Sequence, residues 1–360
     1  MSCPNECAAK GGSPLRRSVV QRYSFRNTFL RLTEYTTPEG NETMWWGLIP
    51  GSKFLDRWGN IHVTVLNEDN SLPRIMFSCH LDTVCDSYIK PIQQFITKDG
   101  FVYTDGRTTL GADCKTGAAL MIQMIWSQVP GKYVFHAGEE VGLIGSSGLS
   151  EFLINRPKKV EEYDYCVAFD RAGYSDIITH QCQQRTCSDE FAKALSTALN
   201  LEPLFEYEPC PKGSFTDSYC YKNIIPECTN LSVGYFLQHT VEEEQDLLFA
   251  ELLLKRLISI QWSKLPVSRD PSKPDIESTL GLCSQKKYKV KYALCRVCHE
   301  VKIKENGWSS LGEFTCQECY NAKENKKETE ADDASKTDAE NEAVPLAHKD
   351  GLKRWLHLLP

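Results

Sequence analysis

The chain contains no long apolar run: no stretch approaches the roughly 18 apolar residues of a membrane-spanning helix. Basic residues are not in excess either, because 41 Lys and Arg face 48 Asp and Glu, for a formal net charge of −7. The N-terminal segment MSCPNECAAKGGSPLRRS has no apolar core of the kind found in secretory signals. These absences exclude a membrane-spanning protein and a surface devoted throughout to nucleic acid. They predict a cytoplasmic protein with no membrane partner.

The composition is that of a globular protein. Of the 360 residues, 41% are hydrophobic, and 15 Phe, 15 Tyr and 7 Trp supply material for a core. The length predicts two units, or one large α/β domain with appendages. The 16 cysteines are expected to be mostly reduced thiols, because a reducing compartment disfavours disulfides.

Strand-like and helix-like patterns alternate through residues 19–266. The segments rich in β-branched and aromatic residues are IHVTVLNED, RIMFSCHLD, KYVFHAGEE and DYCVAFDRAG. The segments with helical spacing of apolar residues are KTGAALMIQMIWSQ, SSGLSEFLINR and DEFAKALSTALN. This order predicts an α/β fold, a three-layer domain with a mostly parallel mixed sheet and helices on both faces. A last helix is predicted from about Glu242 to Trp262, with acidic residues at its start.

The rest of the chain divides by composition. Residues 1–18 predict a flexible leader, and the proline-containing segment 267–285 predicts a linker. Residues 286–322 are basic and Cys-rich and predict a small zinc-ribbon module. Residues 323–345 are acidic and lack aromatics, which indicates disorder, and residues 346–360 predict a short amphipathic helix.

Five residues with metal-binding side chains end predicted strands or lie in the turns that follow, where open α/β sheets place their sites. They are His80, Asp113, Glu140, Asp170 and His239. Mixed imidazole and carboxylate ligands suit zinc or a similar divalent ion. The carboxylate of Asp82, two residues after His80, is predicted to hold the imidazole in one tautomer.

The segments around these residues resemble the metal-site motifs of a known family, the co-catalytic dizinc exopeptidases, which include aminopeptidases, carboxypeptidases and deacylases. The five segments are SCHLDTV, LGADCKTGAAL, HAGEEVGLIGSSGL, AFDRAG and LSVGYFLQHTVEEE. The resemblance implies two bound zinc ions. It implies that Asp113 bridges them, that His80 and Asp170 complete one site, and that Glu140 and His239 complete the other.

The same resemblance implies the chemistry of a hydrolase. A water shared by two zinc ions loses its proton near neutral pH. Glu139 matches the family's general base, which takes that proton and delivers it to the leaving amine. One position departs from the family pattern, because the residue after the bridging Asp is commonly acidic but is Cys114 here. We expect a structural thiol at Cys114, a cis peptide bond before it, and a buried neighbour rather than a ligand at His136.

Two interpretations remain for the end of the substrate that the enzyme recognises. An aminopeptidase needs carboxylates or carbonyls for a free amine, whereas a carboxypeptidase or N-acyl amino acid deacylase needs an Arg for a carboxylate. Arg171 and Arg185 are the candidates for the second interpretation, and Asp217 matches a family loop near the substrate. We favour the aminopeptidase interpretation, with a peptide as substrate and an acylated amino acid as the alternative. The short gaps between the motifs predict a compact domain without a dimerisation lid.

Two Cys-x2-Cys pairs near the C-terminal end have the spacing of a four-thiolate zinc site: Cys295 with Cys298, and Cys316 with Cys319. Four thiolates leave no position for a water, so this zinc is expected to be structural. Basic and aromatic residues around the pairs predict a nucleic-acid or protein partner. A non-catalytic binding module of this kind is the alternative to an enzyme.

Overall fold

The computed structural model describes residues 24–155, 163–273, 292–295, 297–298, 301–303, 307–310 and 313–322. The chain divides into two units, Met1–Ala293 and Leu294–Pro360, and each is described by itself. The predicted leader 1–18, the acidic segment 323–345 and the predicted helix 346–360 lie outside the described residues.

The first unit alternates strands and helices, as the sequence predicts. Its helices are α1 Phe25–Leu32, α2 Ala112–Trp126, α3 Ile144–Ile154, α4 Asp189–Leu199 and α5 Leu247–Ser259. Its first seven strands are β1 Lys53–Leu55, β2 Ile61–Val65, β3 Ile75–His80, β4 Gln94–Ile96, β5 Phe101–Thr104, β6 Gly131–His136 and β7 Tyr165–Arg171. The next seven are β8 Asp176–Ile178, β9 His180–Gln181, β10 Gln184–Arg185, β11 Glu208–Cys210, β12 Glu227–Ser232, β13 Tyr235–Phe236 and β14 Glu244–Asp246.

Eight of these strands form the main sheet in the order β1-β2-β6-β3-β7-β12-β8-β11. The four central strands β6, β3, β7 and β12 are parallel, and β1 and β2 pair antiparallel to their neighbours. Strand β8 pairs antiparallel to β12 but parallel to β11. A smaller sheet has the order β13-β14-β5-β4. Because the central strands are parallel, their carboxyl ends meet at one edge of the main sheet, where open α/β sheets place their sites.

Helices cover the main sheet on both faces. Successive residues of a strand point to opposite faces, and in β3 both Met76 and Phe77 are buried. Phe77 packs against the rings of Tyr133, Phe169 and Trp262, with ring centroids 5.0, 5.9 and 5.0 Å away. Met76 belongs to the cluster on the opposite face, which includes Leu149 of α3. The three-layer α/β fold predicted from the sequence is therefore confirmed.

The predicted last helix begins later than its acidic residues suggest, so that prediction is wrong at its start. Glu244 lies in β14, and α5 begins at Leu247. The side chain of Asp246 accepts the backbone N–H of Phe249 at 3.0 Å and caps the helix. Glu243 is buried and turns towards the loop before α2 instead of the helix end.

The first residues of the predicted linker 267–285 belong to the first unit. The backbone N–H groups of Ser268 and Arg269 donate to the buried carboxylate of Glu227, at 2.7 and 3.0 Å. The ordered contacts of the unit therefore continue past the boundary predicted at residue 266. Residues 274–285 lie outside the described part of the chain.

Strand β15 Tyr292–Leu294 ends at the first residue of the second unit, which also contains β16 Val301–Ile303, β17 Gly307–Ser310 and β18 Glu313–Cys316, the last two antiparallel to each other. They form two two-stranded sheets, β15 with β16 and β17 with β18. Among the described residues of both units, no helix has the length and apolar character needed to cross a membrane.

Candidate metal centre

The five predicted metal ligands come together at the carboxyl edge of the main sheet. Nε2 of His80 lies 3.1 Å from Oδ1 of Asp113 and 3.5 Å from Oδ1 of Asp170. Nε2 of His239 lies 3.2 Å from Oδ2 of Asp113 and 3.0 Å from Oε1 of Glu140. The two oxygens of Asp113 therefore face two different imidazoles, each of which has a second carboxylate beside it.

The local backbone explains how these side chains reach one point. His80 ends β3, and Asp170 is the penultimate residue of β7, so both lie at the same edge of the sheet. Asp113 lies at a break in the first turn of α2, where its φ and ψ are not helical and its peptide bond to Cys114 is cis. His239 has a φ of 64°, a conformation rare for non-glycine residues and frequent at functional sites.

This set of donor atoms fits divalent cations. Three groups of side chains have all their donor atoms within 4.8 Å of one another: Asp113, Glu140 and His239; His80, Cys114 and Asp170; and His80, Glu139 and Glu140. Carboxylates gathered away from water are costly unless a cation balances them. Imidazole and carboxylate groups are the ligands that zinc takes at catalytic sites.

Neighbouring carboxylates raise the pKa of both histidine ligands, His80 and His239. Burial works to lower the pKa of His80, yet Asp170 and Asp113 together hold it well above its ordinary value. Hydrogen bonds to Asp113 and Glu140 raise the pKa of His239 to about 10. A bound metal ion would supply the positive charge that a proton supplies here.

Glu139 lies beside this cluster, in the turn that follows β6. Burial is the largest cause that raises its pKa, to about 9, and the nearby carboxylates of Asp170 and Asp217 act in the same direction. Its backbone N–H donates to Oδ1 of Asp82 at 3.1 Å, and that of Glu140 donates to Oδ2 at 3.0 Å. The carboxylate of Asp82 therefore fixes the turn that carries both glutamates.

Asp82 also contacts the imidazole of His80, both through its carboxylate and through its backbone carbonyl. Nδ1 of His80 lies 2.9 Å from the backbone carbonyl of Asp82 but 3.5 Å from its carboxylate. The carbonyl thus makes the closer contact with the imidazole, because the carboxylate is already shared between two amides.

Two further positioning residues, Glu243 and Asn230, escaped the sequence analysis. The buried carboxylate of Glu243 accepts the backbone N–H groups of Gly111 and Asp113, at 2.7 and 2.9 Å. The side-chain amide of Asn230 pairs with the backbone of Asp170, accepting its N–H at 2.9 Å and donating to its carbonyl at 2.6 Å. Both contacts join residues far apart in sequence, so local spacing carried no signal of them.

Asp217 lies at the start of a short 3-10 helix, Asp217–Tyr221, which packs on the main sheet. Its carboxylate is buried, and the Ser146 side chain is its one hydrogen-bonding influence among the causes that set its pKa. Burial raises the pKa of Asp217 to about 7. The preceding residue, Thr216, donates to Oδ2 of Asp170 at 2.5 Å, which connects this helix to the metal cluster.

The two candidate arginines are engaged in ion pairs. Arg171 lies 2.9 Å from Asp176 and also donates to the carbonyl of Lys212. Arg185 lies 3.0 Å from Asp189, four residues on.

His136 is fully buried between Asn60, at 3.1 Å, and the Tyr221 hydroxyl, at 3.4 Å, and burial lowers its pKa to about 3.

Cys114 is also buried, and its thiol donates to the carbonyl of Phe169 at 3.0 Å. Burial raises the pKa of this thiol well above its ordinary value, which keeps it protonated. The contact fits the structural thiol expected from the sequence.

The second unit brings its four predicted cysteine ligands together: Cys295, Cys298, Cys316 and Cys319. Sγ of Cys298 lies 4.0 Å from that of Cys316, and the thiol of Cys295 accepts the backbone N–H groups of Val297 and Cys316. Amides that point at a sulfur favour its thiolate form. The cluster fits a zinc-ribbon-like module.

Comparisons with known proteins support the fold. No protein-family profile matches the chain. The protein YqjE of Bacillus subtilis, described as uncharacterized, is 28% identical over 152 residues, which are 40% of this chain and 38% of that protein. The match therefore spans well under half of that relative's length.

Two solved structures resemble the fold over most of their own length. A tripeptidase of Staphylococcus aureus superposes with a TM-score of 0.53 at 17% identity, covering 65% of this chain and 96% of that one. The aminopeptidase PepT of Bacillus cereus gives a TM-score of 0.51 at 17% identity, with 65% and 96% coverage. The chain has the fold of these peptidases, as the resemblance of its motifs implies.

Proposed function

We propose that the first unit is a metal-dependent exopeptidase that removes residues from the free amino end of peptides. The observation that carries this proposal is the Asp113 carboxylate, which faces an imidazole–carboxylate pair through each of its oxygens. The two solved structures with this fold are named as a tripeptidase and an aminopeptidase, which supports the same class of reaction.

Two zinc ions would be held by the five ligands, with Asp113 shared between them, Asp170 and His80 on one, and Glu140 and His239 on the other. When bound, such ions polarise a carbonyl oxygen and lower the pKa of a water. A third zinc would be held by the four cysteines of the second unit, where it would stabilise the fold.

Glu139 would move the proton. Its carboxylate lies among buried groups that raise its pKa, so it can hold a proton and then release it to the amine that leaves. The amide contacts from Glu139 and Glu140 to Asp82 fix the turn, so the base keeps its position relative to the ligands.

The charges around the site favour the aminopeptidase over a carboxypeptidase or deacylase. Arg171, the cationic candidate nearest a ligand in sequence, is bound to Asp176. Asp217 offers a buried carboxylate next to Thr216, which bonds to the ligand Asp170, and a buried carboxylate is stabilised by an ammonium. A free N-terminus would supply that ammonium, whereas a C-terminal carboxylate would be repelled.

The test pairs metal analysis with turnover by the full chain on three substrate sets: free-amine dipeptides and tripeptides, N-blocked peptides, and N-acyl amino acids. We expect about three zinc ions per chain and hydrolysis of the free-amine set alone. Glu139→Gln is expected to lower kcat at least about 10²-fold without changing the zinc content. The matched control is Glu151→Gln, an exposed glutamate on α3.

Each part of the proposal can fail separately. Turnover of N-acyl amino acids alone would assign the deacylase, and release of residues from the C-terminal end would assign the carboxypeptidase. One zinc per chain without turnover of any set would instead favour a binding protein built around the cysteine unit. Unchanged kcat in Glu139→Gln would remove that residue from the mechanism.

For the second unit we propose a docking role for a nucleic acid or protein partner in the cytoplasm. The basic run at 286–291 that motivates this proposal precedes the second unit and lies outside the described residues, so the proposal depends on composition. Binding to a nucleic acid should weaken with salt and vanish when Cys295 and Cys298 are replaced by Ser.

A further inference from the structure

A second potential binding site lies in the first unit, in a cavity of about 390 Å³ lined by none of the five candidate metal ligands. Three segments form its walls: the β9–β10 hairpin, the residues after the short helix Asp217–Tyr221, and the segment 269–273. The cavity is large enough for a small organic ligand.

Basic side chains converge on this cavity. They are His180, Arg185, Lys222, Arg269 and Lys273. Among the described residues that line it there is no Asp or Glu, and the remaining polar side chains are amides and a hydroxyl. Such a lining favours an anionic ligand.

The two guanidinium groups are held in place by the fold. Arg269 donates to the backbone carbonyls of Lys222 and Pro226, at 2.7 and 3.1 Å. Arg185 is largely buried and forms an ion pair with Asp189 at 3.0 Å. Anchored guanidinium groups lose little side-chain entropy when an anion binds, and their planar donors match the oxygens of a phosphate.

The two lysines remain adaptable. The ammonium of Lys222 lies 4.1 Å from the ring centroid of Tyr219. Lys273 is 77% exposed and pairs with the exposed carboxylate of Asp270 at 3.0 Å. Exposed pairs of this kind contribute little free energy, so Lys273 can turn to an anion at small cost.

We propose that this cavity binds a small molecule bearing one or more phosphate groups. The oxygens of a phosphate would accept hydrogen bonds from the guanidinium groups of Arg185 and Arg269 and from the ammonium of Lys222, all of which line the cavity. The amides of Gln183, Gln184 and Asn223 would complete the hydrogen bonds to such a ligand.

The test measures the binding of inorganic pyrophosphate to the full chain by calorimetry at fixed ionic strength. We expect the double variant Lys222→Glu, Lys273→Glu to bind at least about tenfold more weakly. The matched control is Lys255→Glu, an exposed lysine on α5 whose replacement makes the same kind of charge change and should leave the affinity unchanged.

Pyrophosphate also binds metal ions, so the variant Asp113→Asn is measured in parallel. Unchanged affinity in Asp113→Asn, together with the loss in the lysine variant, would support the cavity. Affinity lost in Asp113→Asn but kept in the lysine variant would place the anion at the metal centre and overturn the proposal. Absence of binding to the wild-type chain, or an equal loss in Lys255→Glu, would also overturn it. If the double variant does not fold, Lys273→Gln is compared with Lys255→Gln, and a loss of affinity only in Lys273→Gln is expected.

Discussion

The two units of the chain differ in what holds them together. In the first unit every residue of β3, β6 and β12 is buried, so the sheet itself supplies a core. The second unit has two two-stranded sheets and four thiols gathered at one point. Short hairpins bury too little apolar surface to fold alone, and small units of this kind need a metal or disulfides. Metal in the first unit would therefore serve chemistry, whereas in the second it would serve folding.

The largest expected effect on the difference between the two units comes from removing the zinc-binding thiols. Replacing Cys295 and Cys298 by Ser should unfold the second unit, because a structural zinc contributes roughly 10–16 kcal/mol to such modules. Hydrogen exchange should then lose protection in residues 292–322 and keep it in residues 24–273. Cys182→Ser, at an exposed cysteine of the first unit, is the control. Protection retained in residues 292–322 would contradict a zinc-dependent fold.

The converse experiment is a change in the core of the first unit. Phe77→Ala should lower its free energy of unfolding by about 3–5 kcal/mol, because the fully buried ring leaves a cavity among three aromatic neighbours. Urea unfolding measures the change, and the second unit should keep its zinc. Leu201→Ala, at a residue 69% exposed, should cost less than about 0.5 kcal/mol. Similar costs for the two variants would contradict the assigned core.

The stability of the metal-free protein is expected to depend on pH through the buried Asp217 carboxyl of the candidate site. Burial raises the pKa of Asp217 from 3.8 to about 7, so between these values the unfolded chain loses a proton that the folded chain keeps. Stability should therefore fall as the pH rises from about 4 to 7, by at most about 4 kcal/mol. Asp217→Asn should be more stable than wild type at pH 8 and equal to it near pH 3.5.

Urea unfolding at both pH values provides the measurement. Glu39→Gln, at an exposed carboxyl, should follow the wild type. A difference between Asp217→Asn and wild type that stays constant with pH would show that the Asp217 carboxyl does not titrate as stated.

The smallest expected effect comes from a positioning residue. Glu243→Gln places an NH2 group against one of two amides that now donate to the carboxylate, so the loop that carries Asp113 should shift. Affinity of the first unit for zinc should fall about 10–100-fold in a chelator competition, with the fold retained. The adjacent, exposed Glu242→Gln should have no effect. Equal affinities in the two variants would assign Glu243 no part in the centre.

Much of the fold was predictable because its signals are local. Runs of β-branched residues and helical spacing indicated the main strands and helices, and the α/β class followed from their order. The late start of α5 was not predictable in this way. The acidic residues 242–244 look like a favourable helix start, but one of them is drawn into the loop that carries Asp113.

The candidate site also contains residues that local motifs identify and contacts that only the folded structure creates. His80, Asp113 and Glu140 stand out in short motifs, and in the structure His80 and His239 both lie close to Asp113, with Glu140 beside His239. The contacts of Asn230 with Asp170, and of Arg171 with Asp176, depend on how neighbouring strands are placed. No spacing in the sequence encodes those pairs.

The sequence by itself determined the fold class, the ligand types and the thiolate spacing, because strand and helix periodicity and metal-ligand chemistry act over a few residues. Only the tertiary structure decided which carboxylates position the turns, which arginines are occupied by ion pairs, and which cations surround a cavity. These outcomes depend on contacts between residues separated by up to 132 positions, as between Gly111 and Glu243. Such contacts form only when the parallel strands bring distant segments to one edge of the sheet.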